Sequence, residues 1–85
     1  MVISSISEIY NGVVHNYQFI VACHAENQTP EGAASFCISR LNKRVAMQIH
    51  TLADIAYDMG DGELAGKFLI EAQMLELHGE SPTPV

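Results

Sequence analysis

The segment 64–77 is apolar on nearly every side of a helix, and no other feature constrains the fold of this chain as strongly. A helix that is apolar all round has to be covered by other protein surface. A chain of 85 residues has too little interior to cover it alone. The segment therefore predicts self-association, as a homodimer, or a tight complex with another protein. Its apolar residues are Leu64, Ala65, Phe68, Leu69, Ile70, Ala72, Met74, Leu75 and Leu77.

Composition restricts the class of protein further. The chain is 48% hydrophobic and 16% charged, which excludes intrinsic disorder and fits one globular domain. The first residues show no basic segment followed by an apolar core, so we expect no signal peptide. The uncharged apolar run Phe19–Cys23 is much shorter than the ~20 residues of a membrane span. We therefore expect a cytoplasmic protein with no membrane association, in which Cys23 and Cys37 are thiols.

The first predicted helix covers residues 5–26. Ser5 and Glu8 are spaced as a capping box, in which each side chain accepts a hydrogen bond from a backbone amide at the helix start. Apolar residues then recur at alternating intervals of three and four, which is a heptad seam rather than the period of a strand. The seam consists of Ile3, Ile6, Tyr10, Val13, Tyr17, Ile20 and His24.

The second predicted helix covers residues 30–59, with Thr29 as N-cap and Pro30 in the first helical position. Because such a helix is about 45 Å long, it either projects toward another chain or kinks near Asn42. Gly60 is predicted to end it. Its seam consists of Ala34, Ile38, Leu41, Val45, Gln48, Leu52, Ile55 and Met59.

The third predicted helix covers residues 62–78, with Asp61 as N-cap and Gly79 as terminator. The prediction is thus an all-α fold: a three-helix bundle, or a helical hairpin plus one helix, with a long central helix and completion by self-association. Residues 1–79 form the single domain. Residues 80–85 should form a flexible tail, because neither proline within them can continue a helix.

Residues 46–79 resemble a single tetratricopeptide hairpin, although the aromatic residue and the terminal proline of that repeat are missing. The resemblance covers 34 of the 85 residues and implies that the second and third helices form an antiparallel hairpin. The positions that carry it are Leu52, Ala53, Ala56, Gly60, Ala65, Leu69 and Ala72.

No catalytic or metal-binding motif is complete. His24 and Glu26 have the H-x-E spacing of zinc-dependent deaminases, but the Pro-Cys-x-x-Cys that must follow is absent. No two histidines or cysteines have the i, i+3 or i, i+4 spacing that places two ligands on one helix face, and no glycine-rich phosphate loop occurs. We therefore expect no enzymatic activity, no metal and no cofactor. The residues considered as metal ligands are His15, Cys23, His24, Cys37, His50 and His78.

The charged residues fall in two groups on a chain of net charge −6. The acidic group (Asp54, Asp58, Asp61 and Glu63) forms a strip at the end of the second helix. The basic group is Arg40, Lys43 and Arg44. A protein that binds nucleic acid directly has a broader positive surface, so we do not expect this chain to bind nucleic acid directly. The alternative function is a nucleic-acid-associated regulator, which contacts phosphates through the basic group or occupies a nucleic-acid-binding partner through the acidic strip.

The preferred function is a small acidic, non-enzymatic protein–protein interaction module that binds through apolar helical faces. An adaptor, a chaperone and an inhibitor of a larger protein machine all fit this description, and both charged groups are candidates for tuning specificity. The predicted interface residues are Ile70, Met74 and Leu77 on the third helix and Ile9, Val14, Phe19 and Val21 on the first.

Overall fold

The protein is all-α. A computed structural model describes residues 2–26 and 37–85, with side chains for 6–24 and 37–85. It contains three helices, α1 (Val2–Glu26), α2 (Ile38–Asp58) and α3 (Gly62–His78), and no strand within the described ranges. Helices α2 and α3 form an intimately packed hairpin, and α1 lies across it, mainly against α2. The predicted all-α three-helix fold and its hairpin are confirmed, whereas completion by self-association stays a prediction. None of the three helices has the length and apolar composition needed to cross a membrane.

Helix α1 begins three residues before its predicted start, at Val2. Ser5 consequently lies inside the helix and is not its N-cap, so the predicted capping box with Glu8 was wrong. Residues 2–4 contain neither glycine nor proline, so nothing in them stops helical hydrogen bonding from continuing toward the N-terminus.

The buried face of α1 is rotated slightly from the predicted seam. Val14, which was predicted to lie in an interface, is fully buried in the core, and Val21 packs partly buried against it. One turn of helix separates Tyr10 from Val14, so the stripe that includes both faces the hairpin more directly than Val13 does. The buried residues of α1 are Ile6, Tyr10, Val14 and Tyr17.

Helix α2 is shorter than the predicted helix 30–59. Cys37 is its N-cap and has extended backbone angles (φ −127°, ψ 108°), so no helix runs continuously from residue 30 to 59. The predicted cap at Thr29 and Pro30 lies outside the described residues. Helix α2 continues through Asn42 without a break, and the alternative of a kink there stays a prediction.

The turn between α2 and α3 follows the prediction closely. Met59 caps α2, and Gly60 adopts φ 88°, a backbone conformation that only glycine reaches at low cost. The Asp61 carboxylate accepts a hydrogen bond from the Leu64 amide at 3.0 Å, which confirms it as the N-cap of α3. This short turn makes α2 and α3 antiparallel neighbours.

The core contains small residues between α2 and α3 and an aromatic pair between α1 and α3. Alanines at 46, 53 and 56 of α2 and at 65 and 72 of α3 are all buried, which allows the two helix backbones to approach closely. The ring of Tyr10 stacks on that of Phe68 from α3, with centroids 4.3 Å apart and planes 16° apart. Both residues are fully buried, so this aromatic pair joins α1 to the hairpin.

The C-terminal residues 80–85 are held against the helices, and the prediction of a flexible tail was wrong. Gly79 adopts φ 66° and ends α3, and its amide donates to the Leu75 carbonyl. The chain then turns back, Pro82 is buried, and the Thr83 carbonyl accepts a hydrogen bond from the Tyr10 hydroxyl at 2.8 Å. A segment that cannot continue a helix is thus ordered by side-chain hydrogen bonds. We call residues 80–85 the C-terminal strap.

Further hydrogen bonds fix the strap along its length. The Thr83 amide donates to the Glu71 carboxylate at 2.9 Å. The Asn11 side-chain amide exchanges two hydrogen bonds with the backbone of Val85, donating at 3.1 Å and accepting at 2.8 Å. The strap therefore bridges α1 and α3 on one side of the bundle.

Candidate functional site

The groups most suited to catalysis do not converge. Within the two described ranges, no three histidine, cysteine, aspartate or glutamate side chains lie close enough to hold a metal ion. Cys23 is half-buried, Cys37 is exposed, and no disulfide joins them. The expectation that the protein is not an enzyme and uses no cofactor therefore stays a prediction.

Two tyrosines have perturbed ionisation, and both are structural. Burial raises the pKa of Tyr10 far above its ordinary value, and the nearby Glu71 carboxylate raises it further. Burial also raises the pKa of Tyr17, whose hydroxyl donates to the Asn42 side-chain oxygen at 2.8 Å. Each hydroxyl forms a hydrogen bond that joins two parts of the fold.

The surface of α3 that faces away from the bundle is the first candidate site. Ile70 and Leu77 are 60% and 72% exposed, although Phe68, Ala72 and Leu75 on the other side of the same helix are fully buried. At 100° per residue, Ile70 lies almost opposite the centre of the buried face. We call this surface the outer face of α3; its residues are Gly66, Leu69, Ile70, Gln73, Met74 and Leu77.

A shallow groove between α1 and α2 is the second candidate. Its volume is about 590 Å³, and Ile9, Gly12 and Val13 of α1 line it together with Gln48 and Leu52 of α2, among others. Ile9 is 54% exposed, as the prediction requires. Phe19 is exposed as well, but it lies ten residues from Ile9, about 15 Å along the helix, so the predicted interface residues of α1 do not form one patch.

The outward face of α2 is the third candidate and is charged. Arg40, Lys43 and Arg44 are exposed in the N-terminal half of the helix, and Asp54 and Asp58 are exposed in the C-terminal half. The basic group thus shares one face of α2 with Asp54 and Asp58, which lie further along its axis. We call this surface the charged face of α2.

The predicted acidic strip is interrupted after Asp58. Helix α2 ends there, and Asp61 lies across the turn, where its carboxylate is committed to capping α3. Glu63 is exposed in the first turn of α3. An i, i+4, i+7 spacing puts residues on one face only if the helix continues through all of them, and the glycine at 60 prevents this.

Several residues of the candidate surfaces were not identified from the sequence. Gly66 and Gln73 extend the outer face of α3, and Met47, 69% exposed, lies in the middle of the charged face of α2. A signal for the first pair was present, since positions 66, 70, 73 and 77 follow the alternating four and three spacing of a heptad seam. No sequence signal marked Met47 as exposed, because an isolated methionine on a helix is more often in the core.

Comparison with known proteins gives no direct lead to function. No protein-family model, curated protein or solved structure matches this chain. The three surfaces described above are therefore the features from which a function can be inferred.

Proposed function

We propose that this protein is a small, non-enzymatic interaction module that binds an amphipathic helix of another protein on the outer face of α3. One observation carries this proposal. Ile70 and Leu77 are 60% and 72% exposed on the side of α3 that is turned away from the core. Apolar side chains of this size stabilise a complex when they are removed from water, by about 1.5–3 kcal/mol for each one fully buried.

The spacing on this face suits a helical partner. Gly66, Ile70, Gln73 and Leu77 form a straight seam of four positions, and two helices pack side by side along such a seam. Leu69 is 38% exposed and widens the apolar stripe. The partner in this proposal is a helix with its own apolar stripe, which matches helix-on-helix recognition.

The glycine in the seam supports close packing of a partner. Glycine in a helix interior costs roughly 0.5–1 kcal/mol relative to alanine, and Gly66 gains no packing in return within the chain. A Cβ atom added at this position would meet no atom within 4 Å. A partner helix crossing at Gly66 would contact the α3 backbone directly.

The charge of the chain favours a particular kind of partner. With a net charge of −6, the protein attracts basic surfaces during encounter and repels acidic ones. The proposed partner therefore carries lysine or arginine beside its apolar stripe. A cytoplasmic adaptor, chaperone or inhibitor would use such a surface, and the absence of a disulfide between Cys23 and Cys37 suits a reducing compartment.

Site-specific photo-cross-linking in cells that make the protein tests this proposal. A photoreactive phenylalanine analogue replaces Leu77 in one variant and Tyr57 in the other, since both side chains are 72% exposed and only Leu77 lies on the outer face of α3. The expected result is a discrete protein adduct from position 77 that is absent from position 57 and that disappears when Ile70→Glu is added.

Three results would contradict the proposal. Equal adducts from both positions would show non-specific contact, and no adduct at position 77 would show an unoccupied face. An adduct of twice the chain mass of 9.3 kDa would show that a second copy covers the face, as the segment 64–77 also allows, rather than another protein.

A further inference from the structure

We propose that a second copy of this chain binds antiparallel along the charged face of α2. The face is a separate surface from the outer face of α3, so this inference does not depend on the proposed function. The proposal rests on two observations, the order of the charges along α2 and the symmetry of their spacing.

The charges on α2 oppose the dipole of their own helix. The N-terminal end of a helix is partially positive and its C-terminal end partially negative. Helix α2 has no acidic residue in its first turn and no basic residue in its last. It has Arg40, Lys43 and Arg44 near the positive end and Asp54 and Asp58 near the negative end. Arg40 in the first turn and Asp58 in the last turn are therefore each in an unfavourable field in the single chain.

Repulsion between neighbours adds to this. Arg40 and Arg44 have the i, i+4 spacing, and so do Asp54 and Asp58, which places like charges side by side on the helix surface. All four side chains are exposed. An antiparallel copy would relieve both effects. It brings acidic side chains and the negative end of its own helix to the basic half of this face, and basic side chains and the positive end of its helix to the acidic half.

The spacing along the face is symmetric about its centre. Six exposed positions follow intervals of four, three, four, three and four, which is a heptad seam. In an antiparallel pair centred on the level of residue 49, Arg40 lies opposite Asp58 of the second copy and Arg44 lies opposite Asp54. The uncharged Met47 and Thr51 lie opposite each other at the middle. The seam consists of Arg40, Arg44, Met47, Thr51, Asp54 and Asp58.

The same pattern disfavours other arrangements. A parallel pair would place basic halves together and acidic halves together. A nucleic acid on the basic half would meet Asp54 and Asp58 about 15–27 Å further along the helix, from its rise of 1.5 Å per residue. A second antiparallel copy satisfies every charge in the seam, and exposed ion pairs of this kind make the association weak and sensitive to salt.

Charge reversal tests this inference sharply. One variant combines Arg40→Asp with Arg44→Asp, and a second combines Asp54→Arg with Asp58→Arg; Asp61 is unchanged because it caps α3. Mass is measured by sedimentation equilibrium over a dilution series at about 0.05 M and about 1 M salt. We expect the natural chain to dimerise at low salt and to dissociate at high salt.

Each variant alone should lose self-association, and a mixture of the two variants should associate. Each has a seam of one charge sign, so its dimerisation Kd should rise about 100-fold or more, as expected when several surface ion pairs become repulsive. An equimolar mixture should form a heterodimer. A chain with all four substitutions should dimerise like the natural protein, because the charges are exchanged and their complementarity is kept.

Loss of folding cannot account for the expected pattern. Both reversals bring the charges of α2 into line with the helix dipole, so circular dichroism should show a Tm at least as high as that of the natural chain. Leu77→Glu should leave the dimer unchanged, which separates this surface from the outer face of α3.

Any of four results would overturn the inference. These are a natural chain that is monomeric at low salt throughout the dilution series, a reversal variant that dimerises as before, a mixture that stays monomeric, and a fourfold variant that does not dimerise. A natural chain that is monomeric but binds a short DNA duplex through Arg40 and Arg44 would assign the face to nucleic acid instead.

Discussion

The C-terminal strap and the outer face of α3 show opposite relations between composition and environment. The strap contains two prolines and no long apolar stretch, yet Pro82 is buried and Thr83 is fixed by hydrogen bonds to α1 and α3. The outer face of α3 is apolar, yet Ile70 and Leu77 are mostly exposed. Polar backbone is thus ordered in the single chain, and apolar surface is left in water.

The difference arises because the two regions satisfy different requirements. Backbone groups of the strap need only a few hydrogen-bond partners, and Tyr10, Asn11 and Glu71 supply them. The apolar residues on the outer face of α3 need apolar surface to pack against, and α1 and α2 already pack against the other side of that helix. No helix within residues 2–26 and 37–85 covers this face, where Ile70 and Leu77 stay mostly exposed. Hydrogen-bond partners thus hold the strap against the helices, whereas Ile70 and Leu77 on the outer face of α3 stay mostly exposed.

The two sides of α3 should respond differently to truncation of an apolar side chain. Phe68→Ala removes a fully buried ring that stacks on Tyr10 and should lower the free energy of unfolding by about 3–5 kcal/mol. Leu77→Ala should change it by no more than about 0.5 kcal/mol, as for an exposed surface position. Urea denaturation followed by circular dichroism measures both. A loss of similar size for the two variants would mean that the outer face is buried in the purified protein.

Removal of the strap tests whether its order contributes to stability. Deleting residues 81–85 keeps the cap of α3 but exposes the core beneath Pro82 and leaves the Tyr10 hydroxyl without its acceptor. The free energy of unfolding should fall by about 1–3 kcal/mol, since the lost contacts exceed the chain entropy regained. Pro82→Ala should show part of this loss, and the exposed Pro84→Ala should show none. Unchanged stability after the deletion would mean that the strap only rests on the surface.

A single hydroxyl should account for part of the strap's effect. Tyr10→Phe keeps the stacked ring and removes the hydrogen bond to the Thr83 carbonyl, which should cost about 1 kcal/mol at neutral pH. The pKa of Tyr10 is raised in the folded state by burial first and by Glu71 second. Below about pH 10 both states are protonated and stability is complete; above it the unfolded state loses its proton first.

Alkaline pH therefore destabilises the natural chain, and this loss should be smaller in Tyr10→Phe. By about pH 11 the loss of stability of the natural chain should exceed that of Tyr10→Phe by at most about 1.4 kcal/mol. Tyr17, whose pKa burial also raises, accounts for some of the remaining loss. Urea unfolding at about pH 8 and about pH 11 measures it. Equal alkaline losses in both proteins would show that Tyr10 ionises as readily in the folded state as in the unfolded one.

A helical glycine gives the smallest expected change. Gly66→Ala should raise the free energy of unfolding by about 0.5–1 kcal/mol, because the added Cβ meets no atom within 4 Å. It should also reduce the adduct formed from position 77. Gly12→Ala, equally open in α1, should stabilise the chain by a similar amount without affecting that adduct. Equal adduct yields in both variants would mean that no partner packs closely at Gly66.

Local signals in the sequence predicted much of this fold. Asp61, Gly60 and Gly79 marked the ends of α2 and α3 because capping depends on only a few neighbouring residues. The predicted start of α2 was wrong, because the backbone at Cys37 is extended and a helix that continues from residue 30 to 59 would have to pass through it. Proline within 80–85 correctly excluded a helix there but could not reveal the hydrogen-bond partners, which lie up to 74 residues away.

The candidate site was also predicted only in part, because local sequence signals do not show how distant segments pack together. Exposure of Ile70 and Leu77 follows from an excess of apolar surface on one helix, which the sequence shows directly. Burial of Val14 depends on how α1 packs against the hairpin, and that packing joins segments distant in sequence, as the Tyr10–Phe68 stack shows. Exposure of Ile70 and Leu77, which depends on one helix, was therefore predicted, whereas burial of Val14 between two elements was not.

The accessibility of position 77 in cells tests most directly the claim that the outer face of α3 is a binding surface. Leu77→Cys and Tyr57→Cys are prepared with Cys23→Ser and Cys37→Ser, and their rates of reaction with a maleimide are compared in cells and in the purified protein. We predict that position 77 reacts much more slowly in cells than in purified protein, whereas position 57 reacts at the same rate in both. Equal rates at position 77 in both settings would contradict the claim.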